Sequence, residues 1–228
     1  ELFSNALNDF GSYVEHVATG SIEVGDSNLS TEQSNNVDFT LNYKNDVIDG
    51  YVTLFYNDFE DYIYLNNTEM LQDETAVYNY LQEDATFQGV EFEVSFALGQ
   101  QLGGDFSLEI FGDWLDGELD RSGDVPRFPP QRIGSRIQYQ NDALSSYISV
   151  VQAEDQDKPG QFEEETEGYT RWDAGVTYRI DVDTRKELVT FLRLKNLTDE
   201  EIRNATSFLR EIAPEAGRSI EAGFRINF

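Results

Sequence analysis

The sequence predicts an all-β fold, an antiparallel up-and-down transmembrane β-barrel, and three observations carry that expectation. The first is the end of the chain. From Arg218 to Phe228, Ile220, Ala222, Phe224, Ile226 and Phe228 fall on one face, and Glu221, Gly223, Arg225 and Asn227 on the other. Strict alternation marks a strand with one apolar and one polar face. Ending on its aromatic suits a strand that closes a cylinder against lipid better than a bare sheet edge in water. The second is recurrence: alternating segments of roughly ten residues return along the whole chain, the length a tilted membrane strand needs. The third is the asymmetry of the connections. Long polar stretches over 66–82, 116–130, 153–167 and 196–217 alternate with short turns at 45–46, 99–104, 140–142 and 181–186. Every short turn therefore lands on one end, as in membrane barrels.

The elements follow in order. Asn36 to Lys44 puts Val37, Phe39, Leu41 and Tyr43 on one face, and Asn45-Asp46 turns the chain. Val52, Leu54 and Tyr56 continue that face on a strand running through Asp58 to Tyr64. Val90, Phe92, Val94, Phe96 and Leu98 alternate with Glu91, Glu93 and Ser95, and Phe106, Leu108, Ile110, Gly112 and Trp114 lead back out. Ile133, Ser135, Ile137 and Tyr139 oppose Arg132, Arg136 and Gln138, and the strand from Leu144 to about Gln152 returns. Trp172, Ala174, Val176, Tyr178 and Ile180 oppose Asp173, Thr177 and Arg179; Leu188 to Lys195 then precedes the terminal strand. That is about nine strands, whereas single-chain bacterial barrels have even numbers. Charges on the polar face, among them Glu91, Glu93, Glu109, Asp113, Arg132, Arg136 and Arg225, suit a wide, water-filled lumen rather than a tightly packed small barrel. Residues 1–228 read as part of a larger barrel whose wall needs further strands.

Composition narrows the classes. The 228 residues are 39% hydrophobic and 13% aromatic, with a mean hydropathy of -0.52. No run approaches the ~18 apolar residues of a spanning helix. The absence of cysteine removes disulfides and thiolate sites, and a single histidine leaves little for a triad or a multi-histidine metal cluster. A net charge of -28, from 44 acidic and 16 basic residues, disfavours nucleic acid. It suits solubility or a saline habitat, and, more sharply, the attraction of cations or cationic ligands to acidic loops. The opening ELFSNALNDF has neither the basic nor the apolar region of a signal peptide, as expected of a mature protein or of a fragment, and the fragment is the favoured reading.

Six stretches in order resemble the C-terminal part of TonB-dependent outer-membrane receptors: YVTLFYNDFEDYIYL (51–65), FQGVEFEVSFAL (87–98), VPRFPPQRIGSRIQY (125–139), GYTRWDAGVTYRI (168–180), VTFLRLKNLTDEEIRN (189–204) and APEAGRSIEAGFRINF (213–228). Gly89-Val90-Glu91, Pro129-Pro130, Arg132, Gly134, Asn196-Leu197-Thr198-Asp199 and Gly217-Arg218 stand at the matching places, while Gln88 replaces the usual Tyr and Ala216 the usual Pro. The resemblance implies nine or so strands of a 22-strand barrel, a plug domain outside this chain, and contact with TonB through that missing plug. It implies a Gram-negative outer-membrane location, lipid and the barrel-assembly machinery as partners, and no cofactor. Within the family, 16–36 and 200–219 look most like receptors that take up zinc and other metal ions, so the ligand expected is a scarce metal ion or metal complex.

Site residues follow from these readings. His16 is the candidate metal ligand, because neutral imidazole suits zinc, with Glu15, Glu23 and Asp26 as nearby oxygen donors. Metal-uptake relatives often carry a histidine in the stretch that corresponds to Arg203 to Ser207, and Ala205 and Thr206 in this chain count against the metal reading. Phe224, Ile226 and Phe228 are the expected barrel-assembly signal. No catalytic residue is expected: Glu91 with Glu93, and Asp58 with Asp61, are pairs that barrel interiors share with active sites. Glu163-Glu164-Glu165 reads as a solvated loop, lacking the ligand spacing of a calcium site. Two other classes remain open. A barrel enzyme would need a nucleophile or acid/base set around His16, and no Gly-flanked serine accompanies it. A soluble acidic β-sandwich binding sugar or calcium would fold in water without detergent.

Overall fold

The alternating segments become strands that pair in chain order. The computed structural model describes residues 14–183 and 186–228. Its strands are β1 (Val14–His16), β2 (Ser21–Val24), β3 (Gln33–Lys44), β4 (Ile48–Gln72), β5 (Thr75–Gln101), β6 (Gly104–Leu119), β7 (Gly123–Asp124), β8 (Arg132–Gln140), β9 (Leu144–Ala153), β10 (Tyr169–Asp183), β11 (Lys186–Lys195) and β12 (Ser219–Asn227). All belong to one sheet, so the two packed sheets of a sandwich are not formed. Nine strands (β3, β4, β5, β6, β8, β9, β10, β11 and β12) make an antiparallel meander, and β2 alone pairs in parallel, on the start of β5. Among the described residues β3 and β12 do not meet, and both have an unpaired edge. Lipid cannot satisfy such an edge, so a closed wall requires more strands.

Register joins the apolar faces into one band. Phe39 pairs with Leu54, Leu54 with Val90, and Val90 with Trp114. Ile137 pairs with Ile148, Ile148 with Ala174, Ala174 with Leu194, and Leu194 with Ile220. These side chains stay open: Phe39 is 65% exposed and Phe224 72%. Exposed apolar residues scattered singly are ordinary, but a continuous belt of them across nine strands is a surface that lipid covers.

Two of the short turns share one hydrogen-bonded module. In Tyr43-Lys44-Asn45-Asp46-Val47-Ile48, the Asn45 side-chain oxygen accepts from Val47 N at 2.8 Å and Ile48 N at 2.7 Å, and its Nδ2 donates to Tyr43 Oη at 3.0 Å. In Tyr139-Gln140-Asn141-Asp142-Ala143-Leu144, Asn141 accepts from Ala143 N at 3.0 Å and Leu144 N at 2.7 Å, and donates to Tyr139 Oη at 2.8 Å. An Asx-type bond of this kind gives the backbone a ready-made turn. In both, the carbonyl two residues past the Asn accepts from a third strand: Val47 O from Ala97 N, and Ala143 O from Arg179 N.

The connections depart from the expectation in four places. Residues 66–82 are not a loop: β4 and β5 run on as a hairpin turned by Asp73 (φ 50°) and Glu74 (φ 67°), both left-handed as a type I′ turn demands. Polar residues hid these strands, because a hairpin standing in water beyond the lipid needs no apolar face. The turn expected at 99–104 tightens to Leu102 (φ 55°) and Gly103 (φ 78°). The loop over 116–130 starts later, since β6 continues to Leu119 and meets β7. The turn at 181–186 contracts onto the pair Asp183 and Lys186, and residues 184 and 185 lie outside the described ones.

Above the lipid belt a small core forms. Tyr64, Ala85, Leu119 and Val125 are buried, with Phe59, Tyr62, Phe87 and Phe128 packed around them. Phe59, Ala85 and Leu119 lie on the polar-face side of the wall by register, so this core overhangs the lumen.

Candidate functional site

The polar face carries two recurring devices. One is a set of ion pairs: Arg132 with Asp113 at 2.8 Å, Arg136 with Glu109 at 3.2 Å, Arg171 with Asp173 at 3.2 Å, Arg193 with Glu221 at 3.6 Å, and Arg179 with Glu187. Each joins neighbouring positions on a pleated face, and in half-exposed settings each contributes about 0–1 kcal/mol. Arg132 and Arg136 thus meet wall carboxylates, as the polar-face pattern implies.

The other device is an aromatic ring laid over a paired glycine. Phe55 covers Gly89, Phe111 covers Gly134, Tyr147 covers Gly175 and Phe191 covers Gly223, with a Cβ at each glycine falling 2.4–2.6 Å from the ring. Each ring occupies the space a side chain at the glycine would take, and so covers a strand that the glycine leaves bare. A mid-strand glycine on the polar face was the available signal, but the register was needed to find its ring.

A cavity of about 490 Å³ lies on this face beneath the outer loops. Arg132, Arg136, Arg171, Arg203, Tyr169 and Thr206 contribute to its lining. The arginines already face carboxylates, Arg203 through Glu201 at 2.8 Å. The result is a mixed-charge surface with hydroxyl donors.

The proposed metal ligands are partly gathered. His16 Nε2 lies 3.6 Å from Glu23 Oε1, and Tyr80 Oη donates to Glu23 Oε2 at 2.7 Å. Burial first, then the bond to Glu23, pushes the Tyr80 phenol up to about 12. Glu15 pairs with Ile22, and His16 with Ser21, so Glu15 points to the opposite face of the β1–β2 ribbon from His16. Asp26 accepts from Asn28 N and Nδ2 at 2.8 Å each. Among the described residues no three His, Cys, Asp or Glu side chains form a metal-holding group.

Two acidic residues behave unlike the solvated majority. Glu83 is buried at the rim, where its carboxylate accepts from Tyr64 Oη at 2.6 Å, Arg121 N at 2.7 Å, Ser122 N at 3.2 Å and Ser122 Oγ. Burial works to raise its pKa, but these hydrogen bonds and the nearby Arg121 outweigh it and hold the group below the usual carboxylate range. Glu163 is the second: the run Glu163-Glu164-Glu165 is not uniformly solvated, because the Glu163 side chain is only 5% exposed. The adjacent glutamates concealed it, since only one residue of the three turns inward.

On β12, Phe224 pairs with Thr190 and Ile226 with Leu188 on the lipid side, while Phe228 follows the last ladder pair and is 91% exposed.

Solved structures with the same sheet share little sequence. A copper transporter, OprC, superposes with a TM-score of 0.72 at 16% identity, covering 87% of this chain and 32% of its own. The FrpB iron transporter from Neisseria meningitidis gives 0.64 at 13% identity, covering 91% and 33%. A ferric enterobactin receptor (PfeA) mutant from Pseudomonas aeruginosa gives 0.61 at 19% identity, covering 91% and 32%. The chain thus spans about a third of the length of these structures, and at such identities they speak for the fold. A family model described as TonB dependent receptor-like, beta-barrel matches residues 1–197, most of the chain. With wall, turns and lumen in place, the chain belongs to the TonB-dependent receptor-like β-barrel family.

Proposed function

We propose that this segment forms part of the wall of an outer-membrane receptor that imports a scarce metal ion or metal complex by energy drawn from TonB through a plug seated in the lumen. The observation that carries the reading is the two-faced wall: an apolar belt outside and a paired, aromatic-lined polar face inside, a wide-barrel pattern within this family. The names of the similar structures, a copper transporter and iron or ferric enterobactin receptors, favour metal as the cargo class. His16 and Glu23 are proposed as a first contact for a borderline cation at the rim; Glu15 and Asp26, oriented elsewhere, would join only if the β1–β2 ribbon rearranged. Phe224, Ile226 and Phe228 are proposed as the signal read by the barrel-assembly machinery. The test is growth and radiometal accumulation by cells carrying or lacking the receptor, under separate zinc, copper and iron-chelate limitation. Uptake of one metal that disappears with the receptor and with TonB supports the reading. Unchanged uptake of all three refutes it.

A further inference from the structure

We infer that three outer loops and the β4–β5 hairpin are fastened into one body by a buried clasp on the Glu163 carboxylate, and that they open over the lumen together rather than as separate lids. Glu163 lies between β9 and β10. Its Oε2 accepts from Arg127 N at 2.8 Å and its Oε1 from Arg127 Nη1 at 3.3 Å, Arg127 coming from the loop between β7 and β8. Arg210 Nη1, from the loop between β11 and β12, lies 3.6 Å from the same carboxylate. The three side chains are 5%, 15% and 9% exposed, so one carboxylate serves two guanidiniums away from water.

The hairpin is tied to the same point. Arg127 Nη2 donates to Leu65 O at 2.7 Å. Its guanidinium lies 4.5 Å from the Phe208 ring and 5.9 Å from the Tyr78 ring, and those rings meet edge-on at 5.6 Å. Asn67 Nδ2 donates to Phe162 O at 3.0 Å. Arg127 (φ 53°) and Phe162 (φ 61°) hold left-handed backbone, a conformation that side-chain-bearing residues adopt only when the surroundings impose it.

The contacts make each element depend on the others. Withdrawing the Glu163 loop leaves two buried guanidiniums without their counter-charge, which is strongly unfavourable. Withdrawing the Arg127 loop takes from Glu163 both hydrogen bonds it accepts from that residue and from Leu65 O its donor, and withdrawing the Arg210 loop takes the Phe208 ring off Arg127. Partial openings are therefore disfavoured relative to a joint release that hydrates all three groups. Burial lowers the Arg127 pKa and Glu163 opposes that shift, as expected of a desolvated guanidinium held by a partner. The same three loops supply Pro129-Pro130, Gln156, Thr166 and Arg203 to the 490 Å³ cavity, so the clasp holds that cavity's outer wall. This inference stands whatever the cavity admits.

The experiment is amide hydrogen exchange on the full receptor in lipid at neutral pH. Glu163→Gln should raise exchange in 75–80, 123–131, 154–168 and 200–213 together, by roughly a hundredfold, the scale on which losing a buried partner acts. Glu165→Gln, an exposed neighbour, should change none of them. Phe208→Ala keeps every charge paired and removes only the aromatic platform. It should raise the same four segments together by about tenfold, and it decides the matter if Glu163→Gln does not assemble. A rise confined to the loop that carries the substitution, or no rise, would overturn the clasp.

Discussion

Arginine placed at two successive positions of β10 should have opposite consequences. Val176 stands seven residues from either end of the strand (Tyr169–Asp183). At ~3.3 Å of rise per residue and a tilt near 40°, that is roughly 18 Å of height to each end. An apolar band ~25 Å tall therefore has its midplane close to Val176. Its register partners are Ser146 and Leu192, and it is 37% exposed on the lipid side. Val176→Arg should destabilise the barrel by about 2–4 kcal/mol, the cost of a cation at the lipid-facing midplane. Thr177 turns to the other face, paired with Ser145 and Phe191, where water solvates a cation. Thr177→Arg should stay within about 1 kcal/mol. Urea titration of the receptor barrel in vesicles, read by tryptophan fluorescence, gives both values. Equal effects, or the reverse order, would mean the faces are inverted, since a one-residue slip moves every side chain across the sheet.

Gly134→Val should cost about 1–3 kcal/mol through overpacking, because a Cβ there falls 2.4 Å from the Phe111 ring; Phe111→Ala in the same chain should return much of it in a urea-denaturation double-mutant cycle. The Glu83 knot should have a defined pH window. Its folded pKa is depressed, so its contribution is present above the unfolded value near 4.5 and is lost as pH falls through the folded one; the Tyr64 phenol, raised to about 12 by burial and then by Glu83, contributes below about 10 and loses that as pH climbs toward 12. Protection of 119–124 against hydrogen exchange, taken relative to the intrinsic rate at each pH, should fall only outside those limits, and a fall between pH 5 and 9 would count against the knot. Deleting Phe228 from the receptor should lower its level in the outer membrane, measured by surface labelling, while leaving ligand affinity of the assembled fraction unchanged. Normal levels with impaired binding would move the terminal strand from assembly to recognition.

The wall was legible in the sequence because lipid enforces a period of two on every residue it touches. From Val37 to Phe228 that alternation places nine strands and their faces, and the ion pairs of Arg132 and Arg136 follow from it. Where the chain leaves lipid the constraint lapses. The hairpin beyond Tyr64 is as regular as the wall, yet Asn66, Asn67 and Gln82 look like loop. The rim core, the Glu83 knot and the inward turn of Glu163 depend on segments distant along the chain: Tyr64 reaches Glu83 across 19 residues, and Arg127 reaches Glu163 across 36. No local pattern encodes such meetings. His16 meets Glu23 but not Glu15, for a local reason: Glu15 and His16 are adjacent on a strand, and adjacency places them on opposite faces.

The paired Tyr-x-Asn-Asp turns bear on the bore of the cylinder. Alternation cannot distinguish a register from one displaced by two residues, because every side chain keeps its face in both. Yet each such slip alters the stagger around the barrel, and with it strand tilt and diameter. Val47 O bound to Ala97 N, and Ala143 O bound to Arg179 N, index each turn against a strand outside its own hairpin. A displacement by two would break the bond and leave the carbonyl without that partner. The turns thus act as gauge marks that set how wide the lumen is, a dimension on which the lipid-facing residues are silent.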